Sequence, residues 1–417
     1  MLRNKLKKLR ADLNPYLAYE YGIDHHNMPQ EDNYKKSYEK WLKTHQPFHW
    51  WIEFYEIMDN GGFDVIIGNP PYIEYSKVRQ EYMLYGYQTE SCGNLYAFVM
   101  ERSILLLKKI GRQGFIVPIS LVCTQRMSIL QNKIIHSVAM SWHSIYAERP
   151  SKLFSGAEVL LTISLTAKGT VNNGKHWITG LRKWSASERT ILFNNTTYQC
   201  MSKPLRSYTL PKLSSNLEHS IIEKMFTSKG ILGRSLQAKT LIKLFYRIGG
   251  GRYWKIFTTF QPRFVVNGQE GVSSRESYLY FNTEIERDIA VSVLSSTLFY
   301  WYFIITTNGR DLNPSDLREF PLSISNLRED HHKLLTNLAS KLMQDYKFHK
   351  TEKDKVSKLT GKITYEEFYP RHSKSIIDEI DYVLGQHYGF TDEEIDFIVN
   401  YDIKYRMGRD ANDEREE

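Results

Sequence analysis

The sequence predicts an α/β protein in which a doubly wound sheet is followed by a mixed α+β region and a helical C-terminal extension. Three observations lead to this prediction. Over residues 63–170, short apolar runs of strand type alternate with runs of helical periodicity. From 171 to 330 the periodicity weakens, and short β-like runs lie between glycines and basic residues. From 331 to 417 the chain is charged, with apolar residues at helical spacing.

The bulk composition favours a polyanionic partner and a reducing compartment. The chain has 417 residues and a formal net charge of +8, which favours partners such as nucleic acid. Cys92, Cys123 and Cys200 are too few and too widely spaced for a disulfide framework or a CxxC metal site, and we expect no bound metal. The basic N-terminus lacks the apolar core of a signal peptide. We therefore expect a cytoplasmic protein.

One uncharged stretch, residues 289–307, resembles a membrane span in length and composition. It contains several Ser and Thr residues and a dense aromatic run, and no second such stretch follows it. We interpret it as a buried helix or a helix–strand unit and expect no membrane partner.

The first elements frame a conspicuous turn. Residues 1–62 are polar, with short helices such as 34–43 and no glycine-rich nucleotide loop. Residues 63–68, FDVIIG, read as a fully buried parallel strand that ends at the turn Asn69-Pro70-Pro71-Tyr72. The turn therefore lies at the carboxyl end of a strand.

Four more elements continue the alternation. They are a helix at 94–110, a strand at 115–118, a helix at 121–137 and a strand at 159–166. A domain boundary is expected near 169–174, and two amphipathic helices near the C-terminus, at 373–388 and 391–401.

The segment FDVIIGNPPYI, followed by NLYAFVMERSILLLKKIGRQGFIVPISLV, resembles the large N6-adenine-specific DNA methyltransferases of restriction-modification systems, of the type IIG or Eco57I-like kind. The resemblance runs from residue 63 to about 168. It implies a partial class I, Rossmann-like methyltransferase sheet and the cofactor S-adenosyl-L-methionine. The expected reaction is methyl transfer to N6 of adenine in DNA, within a restriction-modification or phage-defence system.

The resemblance also implies roles for single residues. Asn69, Pro70, Pro71 and Tyr72 become the catalytic and base-binding residues, and Phe98 matches an aromatic that lines the cofactor adenine pocket. The chemistry suits these residue types. An exocyclic amine is a poor nucleophile, and a side-chain amide oxygen beside a carbonyl that proline rigidifies can accept its two hydrogens and free the lone pair. Tyr72 would stack on a base flipped from its duplex.

The later sequence is similar, more loosely, to the target-recognition domains of the same enzymes. The similarity lies in LSSTLFYWYFIITTNGRDLNPSDLREFPL, residues 294–322, and in the C-terminal segment. It implies a target-recognition domain over 171–330, a helical extension over 331–417 and contact with double-stranded DNA. Because Arg suits guanine edges and phosphates and Asn suits adenine, the expected contacting residues are Arg252, Arg275, Arg310, Asp311 and Asn313.

Two features depart from the family pattern. A glycine-rich cofactor loop and an acidic residue that takes the ribose hydroxyls normally precede NPPY, and the residues before Asn69 contain neither. We expect the FDVIIG strand to have an open edge, completed by a partner chain that supplies the cofactor-binding half; a truncated remnant, or cover by residues 1–62, are the alternatives. Leu165 also stands where a second base-binding aromatic is usual, and Phe154 is a candidate substitute.

Rival functions remain open at this point. The chain could be a non-catalytic DNA-recognition subunit. It could instead methylate a glutamine amide in a protein, although such enzymes need no long basic second half. N4-cytosine is less favoured, because related enzymes tend to carry Ser in place of Asn69. No nuclease centre is predicted.

Overall fold

A computed structural model describes residues 2–81, 83–156, 158–169, 174–194, 196–201, 209–227, 230–251, 253–357 and 360–407. The chain divides into two compact units, Met1–Pro211 and Lys212–Glu417.

The first unit begins with four helices and then alternates strands and helices. In chain order its elements are α1 (Leu2–Glu20), α2 (Glu31–His45), α3 (Trp50–Glu53), α4 (Tyr55–Asp59), β1 (Phe63–Gly68), α5 (Leu95–Leu106), β2 (Leu107–Pro118), α6 (Ser120–Cys123), α7 (Ser128–Ser137), β3 (Met140–Tyr146), β4 (Leu161–Ala167), β5 (Lys175–Arg182) and β6 (Gln199–Met201). Short 3-10 turns lie at Tyr75–Lys77, Gln88–Cys92, Gln125–Met127 and Ala186–Ile191.

These strands form one six-stranded mixed sheet in the order β1-β2-β4-β3-β5-β6. The pairs β1–β2 and β3–β5 are parallel, while β4 runs antiparallel to both β2 and β3. The predicted α/β class is confirmed, with a mixed sheet.

Two predicted helices differ from the structure. The helix expected over 94–110 ends at Leu106, and Leu107 already pairs with Phe63 of β1, so β2 is longer than the predicted strand at 115–118. Pairing along a neighbouring strand outweighs the helical periodicity of these residues. The helix expected over 121–137 is broken at Thr124 into α6, a 3-10 turn and α7.

The sheet extends beyond the expected boundary at 169–174. Strand β5 pairs with β3, and β6 pairs with β5, so both belong to the first unit. The division between the units falls at Pro211 and Lys212.

Buried polar side chains line one face of this sheet. Directly paired residues on β2, β4, β3 and β5 place Gln113, Thr166, Ser141 and His176 in one row. Ser141 Oγ lies 2.8 Å from His176 Nδ1 and 3.0 Å from Nε2 of the adjacent His143. Burial lowers the pKa of both histidines.

The second unit combines two small antiparallel sheets with buried helices. Its elements are α8 (Asn216–Thr227), β7 (Ile242–Arg247), β8 (Phe257–Thr258), β9 (Phe264–Val266), β10 (Gln269–Glu270), β11 (Glu276–Phe281), α9 (Glu284–Ser295), α10 (Thr297–Thr306), α11 (Pro314–Arg318), α12 (Glu329–His349), β12 (Thr351–Ser357), β13 (Gly361–Glu367), α13 (Lys374–Tyr388), α14 (Asp392–Val399) and α15 (Ile403–Arg406). Further 3-10 turns lie at Leu232–Ser235, Ile324–Asn326 and Pro370–Ser373. The sheet orders are β11-β7-β8 and β10-β9-β13-β12.

The uncharged stretch at 289–307 is a helix pair in the core of this unit. Every residue of α10 is buried, and α9 is buried from Ile289 to Ser295. Asp381 of α13 accepts hydrogen bonds from the Thr297 and Leu298 amides at the start of α10. Within the described residues no single helix is long and apolar enough to cross a membrane; α9 and α10 pass such a test only as a pair bent by 66°.

The predicted helical C-terminal extension contains a β-hairpin. Strands β12 and β13 pair antiparallel, and β13 also pairs with β9. Val356, Ile363, Thr364 and Tyr365 are residues that favour strands, and their charged neighbours hid that preference in the sequence. Helices α13 and α14 confirm the two amphipathic helices predicted at the C-terminal end.

Candidate active site and nucleic-acid interface

The turn Asn69-Pro70-Pro71-Tyr72 begins directly after β1, at its carboxyl end. Gly68, the last residue of β1, pairs with Phe115 of the parallel strand β2. Asn69 and Pro71 are exposed, Pro70 is buried and Tyr72 is half-buried. The turn therefore presents one polar side chain, that of Asn69, on an anchored backbone.

Tyr72 ties this turn to the sheet. Its hydroxyl lies 2.7 Å from Asn69 Oδ1 and 2.8 Å from the carbonyl oxygen of Ile116 on β2. Burial raises the pKa of Tyr72 to about 12, so the phenol keeps its proton at neutral pH. The ring packs against a core cluster that includes Trp184, and Phe154 packs against the same cluster.

The structure thus places Phe154, rather than Leu165, in the same cluster as Tyr72. Leu165 lies towards the C-terminal end of β4, and its side chain is exposed. Helices α5, α6 and α7 and strands β2 and β3 lie between Tyr72 and Phe154 in sequence, so no local pattern could have revealed their shared cluster.

The chain that leaves the turn is fixed by an ion pair that the sequence did not reveal. Arg126 donates two hydrogen bonds to Glu74, at 2.8 and 2.9 Å, and Asn94 donates a third. The hydrogen bond from Arg126 lowers the pKa of the Glu74 carboxyl. The Tyr75 amide also donates to the Gly93 carbonyl. These contacts hold the segment after NPPY against the start of α5.

Phe98 lies inside a small hydrophobic cluster on α5. Its side chain is 3% exposed and makes edge-on ring contacts with Tyr75 and Tyr87, at centroid distances of 5.1 and 5.2 Å. The rings of Tyr75 and Tyr87 therefore cover the Phe98 side chain. Its cofactor contact remains a prediction.

Strand β1 is the edge of the sheet, and its side chains are not fully buried as predicted. Val65 is 59% exposed and Ile67 is 78% exposed. Ile67 begins a row of directly paired residues across five strands, completed by Gly114, Leu165, Trp142 and Trp177. The two Trp rings stack at 5.1 Å. One face of the sheet therefore carries an apolar row that reaches the open edge.

The predicted DNA contacts are partly brought together in the second unit. The amide of Ile248 donates to the Arg275 carbonyl, and the amide of Leu312 donates to the Ile248 carbonyl. A Cβ placed on Gly249 would lie 3.5 Å from Asp311 Oδ1 and 3.7 Å from Arg275 Nη1. Arg275 and Asp311 are both exposed and lie beside the same glycine.

The other three predicted contacts have different outcomes. Arg310 is exposed and adjoins Asp311. Asn313 forms a reciprocal cap with Asp316 at the start of α11, which explains its presence structurally. Arg252 lies outside the described residues.

A comparison against known families matches a segment of the first unit. Residues 6–146 match the family model of the Eco57I restriction-modification methylase. The matched segment contains the Asn69–Tyr72 turn and Phe98, and it ends at the last residue of β3. This segment is therefore similar to restriction-modification methylases.

One relative is a protein of Methanocaldococcus jannaschii that is described as a type II restriction enzyme and methyltransferase. It is 31% identical over 166 residues, which cover 38% of this chain and 14% of the relative. The matched region thus spans only a small part of that protein's length.

Two solved structures have low similarity to the whole chain. The Type IIL restriction-modification enzyme MmeI in complex with DNA aligns with 86% of this chain and 58% of its own, at 11% identity and a TM-score of 0.48. A nuclease-deletion mutant of the Type ISP enzyme LlaGI, with a DNA substrate mimic, aligns with 77% and 47%, at 11% identity and a TM-score of 0.40.

Proposed function

We propose that this chain is the catalytic-motif and DNA-recognition part of an adenine-specific DNA methyltransferase in a restriction-modification or phage-defence system. The observation that carries the proposal is the Asn69–Tyr72 turn, presented at the carboxyl end of β1 inside the segment that matches restriction-modification methylases. The first unit then holds half of a Rossmann-like methyltransferase sheet. The second unit recognises the duplex.

Asn69 and Pro70 act on the amino group of a flipped adenine. The Asn69 amide oxygen and the Pro70 carbonyl accept the two N6 hydrogens, which concentrates the nitrogen lone pair for attack on a methyl group. Pro71 follows Pro70 and restricts its backbone, so the carbonyl is held without rearrangement. The Tyr72 ring, with Phe154 in the same cluster, provides apolar surface for the base.

The hydroxyl of Tyr72 sets the orientation of Asn69. One hydroxyl carries one proton, yet it lies within 2.8 Å of both the Asn69 amide and the Ile116 carbonyl. The hydroxyl proton is shared between these two oxygens, and Asn69 Oδ1 keeps a second lone pair. That lone pair can accept a substrate hydrogen while the Tyr72 hydroxyl holds the amide in place.

We expect Tyr72→Phe to lower methyl transfer by roughly tenfold, the effect of losing one hydrogen bond that orients a catalytic amide. The ring remains, so the apparent affinity for DNA should stay near the wild-type value. Single-turnover rates at saturating DNA measure the effect. An unchanged rate would show that the hydroxyl does not orient Asn69.

S-adenosyl-L-methionine is the proposed cofactor, and it supplies the methyl group as a sulfonium. The described residues of this chain fit the acceptor side of such a site rather than a complete cofactor pocket. Phe98, the predicted adenine contact, is already covered by Tyr75 and Tyr87. We therefore assign the main cofactor contacts to a partner polypeptide.

The partner would dock on the open edge of β1 and on the adjoining apolar face. An edge strand with exposed Val65 and Ile67 offers unpaired backbone groups and apolar area together. Val65 pairs with Arg112, and Lys175 lies in the same register row across the sheet; both cations are exposed. A strand followed by an apolar helix with acidic flanks would complement this surface.

The decisive experiment measures transfer of a labelled methyl group to adenine-rich genomic DNA. The purified chain is assayed alone and together with the product of the upstream gene. Activity in the mixture only would support both the reaction and the partner, and activity of the chain alone would contradict the partner. Absence of activity in both would contradict the catalytic proposal.

We expect Ile67→Lys to abolish partner-dependent activity, because a charge on the apolar row prevents burial of that face. The matched control is Ile191→Lys, another exposed isoleucine of the first unit that lies outside the sheet. Co-sedimentation with the partner measures docking directly. Equal losses in the two variants would contradict docking at β1.

The second candidate function is a non-catalytic DNA-recognition subunit, favoured by the covered position of Phe98. It predicts duplex binding with steep salt dependence and no measurable cofactor affinity, even with the partner present.

A further inference from the structure

Lys255 of the second unit is buried and joins two loops that are far apart in sequence. Its side chain is 7% exposed. Nζ donates to the Gly250 carbonyl at 3.1 Å and to the Arg310 carbonyl at 2.9 Å, and it lies 4.9 Å from the centroid of the Phe303 ring. A buried ammonium is tolerated only where its protons are bonded, and two of the bonds here come from backbone on different loops.

The two loops are the glycine loop, residues 249–251, and the Asn308 loop, residues 308–312. Gly250 and Gly251 have φ values of 92° and 62°, and Gly309 has a φ of 72°, so both loops depend on left-handed backbone. The Asn308 side-chain oxygen accepts the amides of Arg310 and Asp311. The Asn308 loop is thus folded on itself, and Lys255 joins it to the glycine loop.

The residues predicted to touch DNA lie on or beside these loops. Arg310 and Asp311 belong to the Asn308 loop. Arg275 lies beside Gly249, as does the Asp311 carboxylate. A shift of one loop relative to the other would therefore separate Arg275 from Asp311.

We propose that Lys255 is a positioning residue for target recognition, which fixes the glycine loop to the Asn308 loop and so holds Arg275, Arg310 and Asp311 in one DNA-reading surface. The proposal rests on the proposed function, in which the second unit binds duplex DNA. Lys255 itself touches no DNA, because its ammonium is buried and bonded to protein carbonyls.

The electrostatics of the site agree with this role. Burial lowers the pKa of Lys255 to about 8, and the nearby Asp311 carboxylate opposes that effect. A lysine that contacted phosphate from the surface would not lose its hydration in the free protein. The two cations therefore differ in hydration: the Lys255 ammonium is desolvated, whereas the Arg310 side chain is exposed to solvent.

The first measurement is hydrogen exchange in the full chain without DNA, comparing wild type with Lys255→Met. Methionine keeps the apolar stem and removes the donors. We expect faster exchange at the Leu312 amide, which donates to the Ile248 carbonyl between the loops at 2.7 Å. Unchanged protection of Leu312 would overturn the proposal, whatever the DNA-binding result.

The second measurement is binding to duplexes that the wild type selects from a random-sequence pool, with a scrambled duplex for comparison. We expect Lys255→Met to reduce the preference for selected over scrambled duplex by about tenfold, while the slope of log affinity against log salt stays unchanged. Arg310→Ala should instead reduce that slope by about one, because it removes a phosphate or base-edge cation. A reduced slope in Lys255→Met would indicate direct contact and overturn the positioning role.

Lys224→Met is the matched control. Lys224 is a partly buried lysine of the same unit, and its ammonium binds Glu394 at 2.6 Å, outside both loops. Equal losses of preference in the two lysine variants would show that Lys255→Met acts by general destabilisation of the unit, and would overturn the positioning role. If the wild type selects no duplex, the proposed function of the second unit fails, while hydrogen exchange still decides the role of Lys255.

Discussion

Replacement of Asn69 by Ala is expected to lower methyl transfer by roughly 10²–10³-fold or more, the effect of deleting one pre-organised group that acts on the reacting centre. The substitution removes an exposed side chain at the end of β1, so the fold should survive. Because the predicted DNA contacts lie in the second unit, the affinity for duplex DNA should stay unchanged. Rates and affinities are measured with the completed enzyme, by labelled methyl transfer and by DNA titration.

Asn33→Ala is the matched control for this prediction. Asn33 is an exposed asparagine of α2 whose side chain donates to Gln30, outside the turn. It should leave transfer unaffected. If Asn69→Ala lost DNA binding and methyl transfer together, the turn would be a structural feature of the chain and not a catalytic site.

Acid should destabilise the first unit through His143. The ring is 1% exposed, and burial lowers its pKa from about 6.5 to about 3. Between these two pH values the His143 ring is protonated in the unfolded chain and neutral in the folded chain. As far as His143 is concerned, the free energy of unfolding is therefore highest above pH 6.5. It decreases as the pH falls towards 3, with a limiting slope of about 1.4 kcal/mol per pH unit.

Chemical unfolding of wild type and His143→Gln, followed across pH 7 to 3, measures this effect. Glutamine has no proton to gain, so we expect a shallower acid branch in the variant. Asp381, whose pKa burial raises to about 6, has the opposite sign but is common to both proteins and cancels in the difference. Exposed Asn33 provides the control, since Asn33→Ala changes no titratable group and should reproduce the wild-type curve. Parallel curves for wild type and His143→Gln would contradict the prediction.

The sequence alone determined the features that depend on local chemistry. The apolar run FDVIIG and the two prolines after it are sufficient to predict a strand that stops at a turn, and the structure has β1 at those residues. Helix α14 begins at the capping box of Thr391 and Glu394, and helices α9 and α10 occupy the predicted uncharged stretch. In each case residues within a few positions of one another decide the structure.

Tertiary structure decided the features that depend on distant partners. Leu107 is a strand residue because Phe63 pairs with it, and β13 pairs with the distant strand β9 besides its hairpin partner β12. The hydrogen bonds from Arg126 to Glu74 and from Lys255 to the Arg310 carbonyl each join residues more than fifty positions apart in sequence. Such contacts leave no local pattern, because their free energy comes from burial and pairing that exist only after the chain has folded.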